Sequence, residues 1–402
     1  VDLAFAPATL ALAAQTRAFI RDVVLPIEDE YSGVAPDNDE WRVKLQAEAK
    51  AAGVFGPQVP IEYGGHGLNM VERAPVFEEA GYSLFGPIAV NCAAPDEGNQ
   101  HLLDRAGNAE QRERYLAPVA RGEVRSAFAM TEPAPGAGSD PRALTTRATK
   151  TSNGWRIDGF KRFIAGADGA DFAIVMARTS GNPGDPGGAT MFLVDSDNPG
   201  MILERHMPTM DKSMAGGHCE VRFDDCQVPE SAVLGELDEG FRYAGIRLGP
   251  ARMTHCMRWL GAARRAHELA IARAVERKAF AQPLAELGMT QKMIADSEID
   301  IEASRGLILR ACWELDQGRS GRDSTSIAKT FVSEAVGRIV DRSVQIYGGL
   351  GVSEDLPLAR IYREVRPFRV YDGPSEVHRW ALAKRAARRV RTTTGAGDGV
   401  SN

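Results

Sequence analysis

The sequence predicts an α+β fold: helices first, a small β-barrel or sandwich in the middle, and a helical bundle last. Three observations carry this. Apolar residues keep helical spacing in the first and last thirds of the 402-residue chain. The middle holds short β-rich runs separated by Gly, Pro, Asn and Asp. Strands and helices do not alternate, which excludes a doubly wound parallel sheet. The expected units are an N-terminal α-helical domain over 1–125, a middle β domain over 126–236, a C-terminal helical bundle over 237–392 and a disordered tail over 393–402.

In the first zone Leu10, Ala13, Ala14, Ala18 and Phe19 repeat at helical spacing. Gly56-Pro57 and Gly64-Gly65-His66-Gly67 are turn chemistry. Asn108 is placed to cap a helix carrying Gln111, Tyr115 and Leu116. In the middle zone the runs 172–176 and 190–194 read as strands, and 181–188 reads as a loop. In the last zone Ile327, Phe331, Ala335 and Ile339 recur every four residues, beside a second row of Ala328, Val332, Val336 and Val340. Two adjacent apolar rows make the wide stripe of a helix packed inside a bundle. Small polar residues over 392–402 offer little to bury.

Lys and Arg number 48 against 54 Asp and Glu, a net charge of −6, without the basic footprint of a nucleic-acid-binding protein. The basic residues Lys384, Arg385, Arg388, Arg389 and Arg391 read as a solvated helix end. The five cysteines, Cys92, Cys219, Cys226, Cys256 and Cys312, are odd in number and form no CxxC pair, which favours a reducing compartment. No apolar run approaches the roughly 20 residues of a membrane span. No basic-then-apolar leader opens the chain. The expectation is a cytoplasmic protein of a bacterium, or an organelle-matrix protein whose transit peptide has been removed. The seven histidines show no HxxxH or HExxH spacing, so no metal site is expected.

Gly136-Ala137-Gly138-Ser139 and Gly348-Gly349-Leu350-Gly351 could bring backbone close to a phosphate. Neither continues as Gly-Lys-Ser/Thr and neither lies in a βαβ unit, so the Walker and Rossmann readings fail. Their neighbours give them meaning. Met130-Thr131-Glu132-Pro133 precedes the first cluster; Asp140 and then Gly159-Phe160-Lys161-Arg162-Phe163-Ile164 follow it. Pro60-Ile61-Glu62-Tyr63-Gly64-Gly65-His66-Gly67, Glu276-Arg277-Lys278-Ala279-Phe280, Gln345-Ile346-Tyr347-Gly348-Gly349 and Tyr371-Asp372-Gly373-Pro374-Ser375-Glu376-Val377 complete the ordered set. In these motifs the sequence resembles the acyl-CoA dehydrogenase family of flavoproteins, over nearly the whole chain.

The resemblance implies a C-terminal four-helix bundle, an FAD cofactor and an acyl-CoA substrate. Phe128, Met130 and Thr131 would line the flavin, with Thr131 bonding the isoalloxazine edge. Ser139 would sit near the pyrophosphate or the thioester. Phe163, Ile164 and Ala165 would cover the other flavin surface. Arg277, Phe280, Gln345, Gly348 and Gly349 would reach the FAD of a neighbouring subunit in a homotetramer or dimer. A pyrophosphate asks for backbone N–H donors and a guanidinium fork, which Arg277 would supply. Pro374 and Glu376 would flank the cofactor, Tyr371 and Gly373 the substrate, and Arg252 would contact coenzyme A.

Asp372 occupies the position of the family's catalytic Glu. There a carboxylate removes the α-proton of the acyl thioester while the β-hydrogen leaves as hydride to flavin N5, and the backbone N–H polarises the thioester carbonyl. Read locally, Asp372-Gly373-Pro374 is simply a strong turn. Some members carry the base immediately before the arginine that contacts coenzyme A; here that residue is Ala251, which leaves Asp372 as the candidate. The Asp-Gly-Pro run and Gly217-His218 resemble the branch of members 10 and 11. Two departures stand out. Two extra residues separate Pro133 from Gly136, and Ala165 stands where a hydroxyl often bonds the flavin.

The resemblance thus implies α,β-dehydrogenation of an acyl-CoA to the trans-2-enoyl-CoA, as in β-oxidation and fatty acid metabolism, with an electron-transfer flavoprotein as acceptor. A nitroalkane-oxidase-like or acyl-CoA-oxidase-like enzyme on the same scaffold is the alternative. Asp372 and Arg379 have the seven-residue spacing of the former, whereas Arg252 favours the dehydrogenase. A flavin scaffold without enzymatic activity is disfavoured by the intact carboxylate.

Overall fold

A computed structural model describes residues 4–393. Helix α1, Pro7–Phe19, runs through a π-helical segment, Ile20–Val24, into Leu25–Glu30. Its buried face is Leu12, Ala13, Thr16 and Phe19, while Leu10, Ala14 and Ala18 face solvent. The face is rotated from the one the apolar residues predict. Thr16 belongs to it because its hydroxyl donates to the Leu12 carbonyl at 2.8 Å, which makes a polar residue buriable. Helices α2, Glu40–Ala51, α3, Met70–Ala80, and α4, Asp96–Ala106, follow. Asn108 caps the next short helix as expected, in a reciprocal box with Gln111. In the 60–67 turn a Cβ on Gly65 would lie 2.2 Å from the Val59 carbonyl oxygen, so only glycine fits there.

The middle zone is one mixed eight-stranded sheet. Its strands are β1, Ser126–Ala129; β2, Arg147–Thr151; β3, Gly154–Ala165; β4, Phe172–Arg178; β5, Ala189–Asp195; β6, Met201–His206; β7, His218–Val228; and β8, Val233–Leu234. They are ordered β6-β7-β3-β2-β4-β5-β8, with β1 parallel to β4. Both runs expected as strands, now β4 and β5, are strands. They are buried on both faces, so they read as continuous apolar runs rather than alternating ones. Ala173, Val175 and Phe192 face the core inside the β domain, and Ile174, Met176 and Met191 face Leu102, Leu103 and Leu116 of the first zone.

The last zone contains α5, Gly240–Glu276, α6, Gly288–Asp316, α7, Arg322–Tyr347, α8, Pro357–Val365, and α9, Ser375–Thr393. Helix α7 packs on α5, α6 and α9, giving a four-helix arrangement. A hairpin of β9, Lys278–Ala279, and β10, Gln282–Pro283, separates α5 from α6. In α7 the row Ala328, Val332, Val336 and Val340 is fully buried, but Ile327 is exposed and Phe331 half-buried. The neighbouring buried row is polar: Thr325, Lys329 and Ser333. The two helical zones share one core, in which Phe19, Leu45 and Phe77 meet Met257, Leu260, Val336 and Phe368. Where α3 ends against α5 the backbones nearly touch. A Cβ on Gly81 would lie 2.0 Å from the Arg258 carbonyl oxygen, and one on Gly261 would lie 2.1 Å from that of Glu78. This close crossing fixes the stretch of α5 that carries Arg252, His255 and Arg258. Thr392 and Thr393 still belong to α9; the rest of the tail expected to be disordered, 394–402, lies outside the described residues.

Candidate active site

A cleft of about 2520 Å³ opens between the sheet, the first-zone helices, the N-terminal half of α5 and the turn at 370–374. Pockets for one small ligand run to roughly 300–1,000 Å³, so this cleft has room for a large cofactor together with a substrate. Its walls include Phe128, Met130, Thr131, Ser139, Phe163 and Ala165 on the sheet side, and Arg252, His255, Tyr371, Asp372, Gly373 and Pro374 on the other.

The turn carrying Asp372 has two consecutive left-handed residues, Asp372 at φ 55° and Gly373 at φ 96°. Aspartate enters that region more readily than most side chains. Glycine is obligatory at 373, where a Cβ would lie 2.8 Å from His378 Nε2. Three donors clamp the backbone. Arg252 Nε donates to the Asp372 carbonyl at 2.9 Å, and His378 Nε2–H donates to the same oxygen at 3.2 Å. Lys329 Nζ donates to the Gly373 carbonyl at 2.7 Å. Trp259 adds a hydrogen bond from its indole N–H to the Tyr371 hydroxyl. Burial drives Lys329 down to about 8 against the pull of Asp372. Burial also takes His378 down to about 4, aided by Arg252 and Lys329. His378 is therefore neutral near pH 7, with its Nδ1 toward Ser326 Oγ at 3.2 Å.

The carboxylate is held quite differently from its backbone. Asp372 Oδ2 is buried and accepts no hydrogen bond from the described residues. His255 Nε2 approaches it to 3.6 Å, and the Asp372 side chain as a whole is 17% exposed. The cations whose fields reach it are Arg247, Arg252 and Lys329. Arg247 is itself tied down: it stacks over Phe128 at 3.9 Å and donates from Nε to Asn99 Oδ1 at 2.9 Å.

The opposite wall is braced by Glu132. Its Oε2 accepts from the Ala137 amide at 3.1 Å, the Thr145 amide at 2.7 Å and the Thr145 hydroxyl at 2.6 Å; its Oε1 accepts from the Thr146 amide at 2.8 Å. Lys161, fully buried, pairs with Oε1 at 3.0 Å. Burial alone would raise the Glu132 carboxyl, but Lys161 and the threonine donors outweigh it and hold it at about 2. Lys161 is pushed by burial to about 8. Gly136 is required beneath this brace, since a Cβ would meet Glu132 Oε2 at 2.3 Å. The two extra residues before Gly136 close into a turn by a 2.8 Å bond from the Gly136 amide to the Pro133 carbonyl, and Ser139 remains on the cleft wall. Phe163 reaches the cleft from a register shift between Lys161 and Ile164 in the β3–β7 pairing. It has φ 59° and is 53% exposed, so it is projected outward rather than packed in a core.

Not every expected residue lies here. Ile164 turns its side chain into the β core, so that side chain cannot cover a ligand in the cleft. Glu376 is exposed on α9 and does not line the cleft. Arg277, Phe280, Gln345, Gly348 and Gly349 also lie outside it. They gather instead at the end of the bundle where α5 and α7 terminate, tied together by the small buried cluster of Ala270, Ala274 and Ile346. Phe280, at the hairpin tip, has φ 51° and is 88% exposed. Arg379 forms a two-pronged pair with Glu334, both contacts 2.7 Å, away from the cleft, which removes the force of its spacing from Asp372. His255, Lys329 and Arg247 were not singled out by sequence. Two signals existed. His255 lies three residues after Arg252, hence on the same helix face, and Lys329 is a charge inside an apolar stripe.

Comparison with known proteins agrees with the geometry. Three family models match in order: acyl-CoA dehydrogenase N-terminal domain at residues 7–123, middle domain at 127–226 and C-terminal domain at 238–387. The chain is 38% identical over 375 residues to "Probable acyl-CoA dehydrogenase FadE2" of Mycobacterium tuberculosis, covering 92% of this chain and 87% of that protein. It is 35% and 36% identical to acyl-CoA dehydrogenase family members 10 and 11 of Mus musculus, covering 94% and 92% of this chain but only 37% and 49% of those proteins. The solved butyryl-CoA dehydrogenase of Megasphaera elsdenii is 27% identical, with a TM-score of 0.86 over 96% of this chain and 100% of that one.

Proposed function

The chain belongs to the acyl-CoA dehydrogenase family, an FAD-dependent class of oxidoreductases, and from that premise we propose that it dehydrogenates an acyl-CoA thioester between Cα and Cβ with Asp372 as the base. The observation that carries the reading is the contrast within one residue: the backbone of Asp372 is clamped by Arg252 and His378 while its carboxylate borders the cleft unbonded. The Cα–H bond breaks and its proton passes to the carboxylate; FAD, when bound, would supply the acceptor for the hydride released as the Cβ–H bond breaks, which leaves a Cα=Cβ double bond. Arg252 has a positioning role toward the Asp372 carbonyl besides any contact with coenzyme A.

The residues fit the cofactor. Phe128, Met130, Phe163 and Ala165 offer an apolar wall and Thr131 and Ser139 offer hydroxyls, the combination a flavin needs. Arg277, Phe280, Gln345, Gly348 and Gly349 lie outside the same chain's cleft, which supports their serving a neighbouring copy in a dimer or tetramer. Electron-transfer flavoprotein as acceptor, and a place in fatty acid β-oxidation, follow from the family reading. Five buried free thiols support a reducing compartment, cytoplasm or organelle matrix. No helix among the described residues is long and apolar enough to cross a membrane.

The test is anaerobic mixing of the FAD-loaded protein with a panel of acyl-CoA thioesters. Bleaching of the flavin by at least one thioester, absent in Asp372→Asn with FAD retained, is the expected result. Bleaching by a nitroalkane alone, with fast reoxidation by oxygen, would transfer the protein to the oxidase reading.

A further inference from the structure

We propose that His255 is a positioning residue for the Asp372 carboxylate: its Nε2–H faces Oδ2, holds that oxygen away from the cleft, and leaves Oδ1 as the atom that receives the proton. The inference rests on the reading of Asp372 as the base.

The tautomer follows from the partner of the other ring nitrogen. Arg258 has only donors, and its guanidinium nitrogen lies 3.1 Å from His255 Nδ1. Nδ1 must therefore be the acceptor and Nε2 the protonated nitrogen. Arg258 is fixed in turn, donating to the Cys92 carbonyl at 2.6 Å. The ring itself is wedged against Tyr371 and Phe368, with centroids at 4.9 and 5.9 Å. Burial and the cations Arg258, Arg247 and Lys329 keep it neutral, well below the usual histidine range.

The geometry then sorts the two carboxylate oxygens. Oδ2 is buried and 3.6 Å from His255 Nε2. The exposure of the side chain toward the cleft thus belongs to the rest of the group, including Oδ1. The 3.6 Å separation is beyond hydrogen-bond range, but the terminal torsion of an aspartate is soft, and hydrogen bonds of a catalytic base commonly tighten only when substrate binds. A neutral donor at Oδ2 orients the carboxylate without the permanent ion pair that would silence a base. The other nearby histidine ring among the described residues, His378, is spent on the Asp372 carbonyl.

Two measurements on the FAD-loaded protein test this. Nitrogen-15 histidine spectra of the wild type at pH 7, with His255→Phe used to assign the signal, should show His255 neutral and protonated on Nε2. Steady-state kinetics should show kcat lowered about 10–100-fold in His255→Phe, smaller than the loss of the general base itself, with KM within about 3-fold of wild type. His255→Gln, whose amide can present an N–H from a similar distance, should recover most of that loss. An Nδ1-protonated or charged His255 overturns the proposal. So does wild-type kcat in His255→Phe, or equal loss in the Phe and Gln variants, which marks a packing role. Asp372→Asn separates the two levels: if it keeps wild-type bleaching, the assignment of the base falls; if it is inactive while His255→Phe is fully active, only the role of His255 falls.

Discussion

Two carboxylates line the cleft, the buried Glu132 and the partly buried Asp372, and each has a buried lysine nearby. Glu132 is saturated: four hydrogen bonds and Lys161 leave it nothing to react with, and it is held at about 2. At Asp372 the lysine has been diverted. Lys329 donates to the Gly373 carbonyl, so the turn is stabilised while the carboxylate keeps a bare oxygen. The same pair of residue types thus yields a strut on one wall and the proposed base on the other. The difference lies in whether the donors meet the side chain or the backbone. A third carboxylate sharpens this. Glu364 is buried and accepts from the Lys212 and Ser213 amides and the Ser213 hydroxyl, yet without a lysine partner burial carries it up to about 7.

Substitutions can separate these roles. The largest effect is expected from Asp372→Asn, which should slow flavin bleaching by about 10³-fold or more, toward the upper range of general-base contributions, with a melting midpoint close to wild type. Glu132→Gln should do the reverse. It strands Lys161 in the interior, and breaking a buried pair costs about 3–5 kcal/mol, read as a lowered denaturation midpoint. Equal behaviour of the two variants would break the comparison. Glu364→Gln tests the role of the lysine. The folded-state value of Glu364 lies above its unfolded one, so the wild type gains most over the variant below about pH 4.5 and loses that advantage as pH rises through about 7. The difference should amount to no more than about 3–4 kcal/mol at roughly 1.4 kcal/mol per pKa unit, and a flat difference between pH 4 and 8 would contradict it. The smallest effect is expected for Lys329→Met, about 10-fold in kcat, or about 1.4 kcal/mol, through a loosened turn with FAD content unchanged.

The architecture was legible because it is written in local periodicity and in ordered motifs. The runs that became β4 and β5, the Asn108 cap and the α7 row of Ala328, Val332, Val336 and Val340 could be read without neighbours. Polar burial could not. Thr16 displaces the buried face of α1, and Thr325, Lys329 and Ser333 hide in α7, because their partners are backbone atoms that sequence does not display. Family likeness located Asp372 and most of the cleft wall. It could not separate Ile164 from Phe163, whose opposite orientations depend on a register shift in β3. Nor could it show that Glu132, inside the most recognisable motif, is a brace rather than a ligand, or that His255 stands beside Asp372.

The central claim is that Asp372 itself removes the α-proton, and this can be measured apart from flavin reduction. An acyl-CoA whose β-carbon is replaced by sulfur can lose and regain its α-proton but has no β-hydrogen to give up. Incubated in D₂O with the FAD-loaded wild type, it should take up deuterium at Cα, and with Asp372→Asn that uptake should fall to the rate without enzyme. Uptake by Asp372→Asn at the wild-type rate would contradict the account.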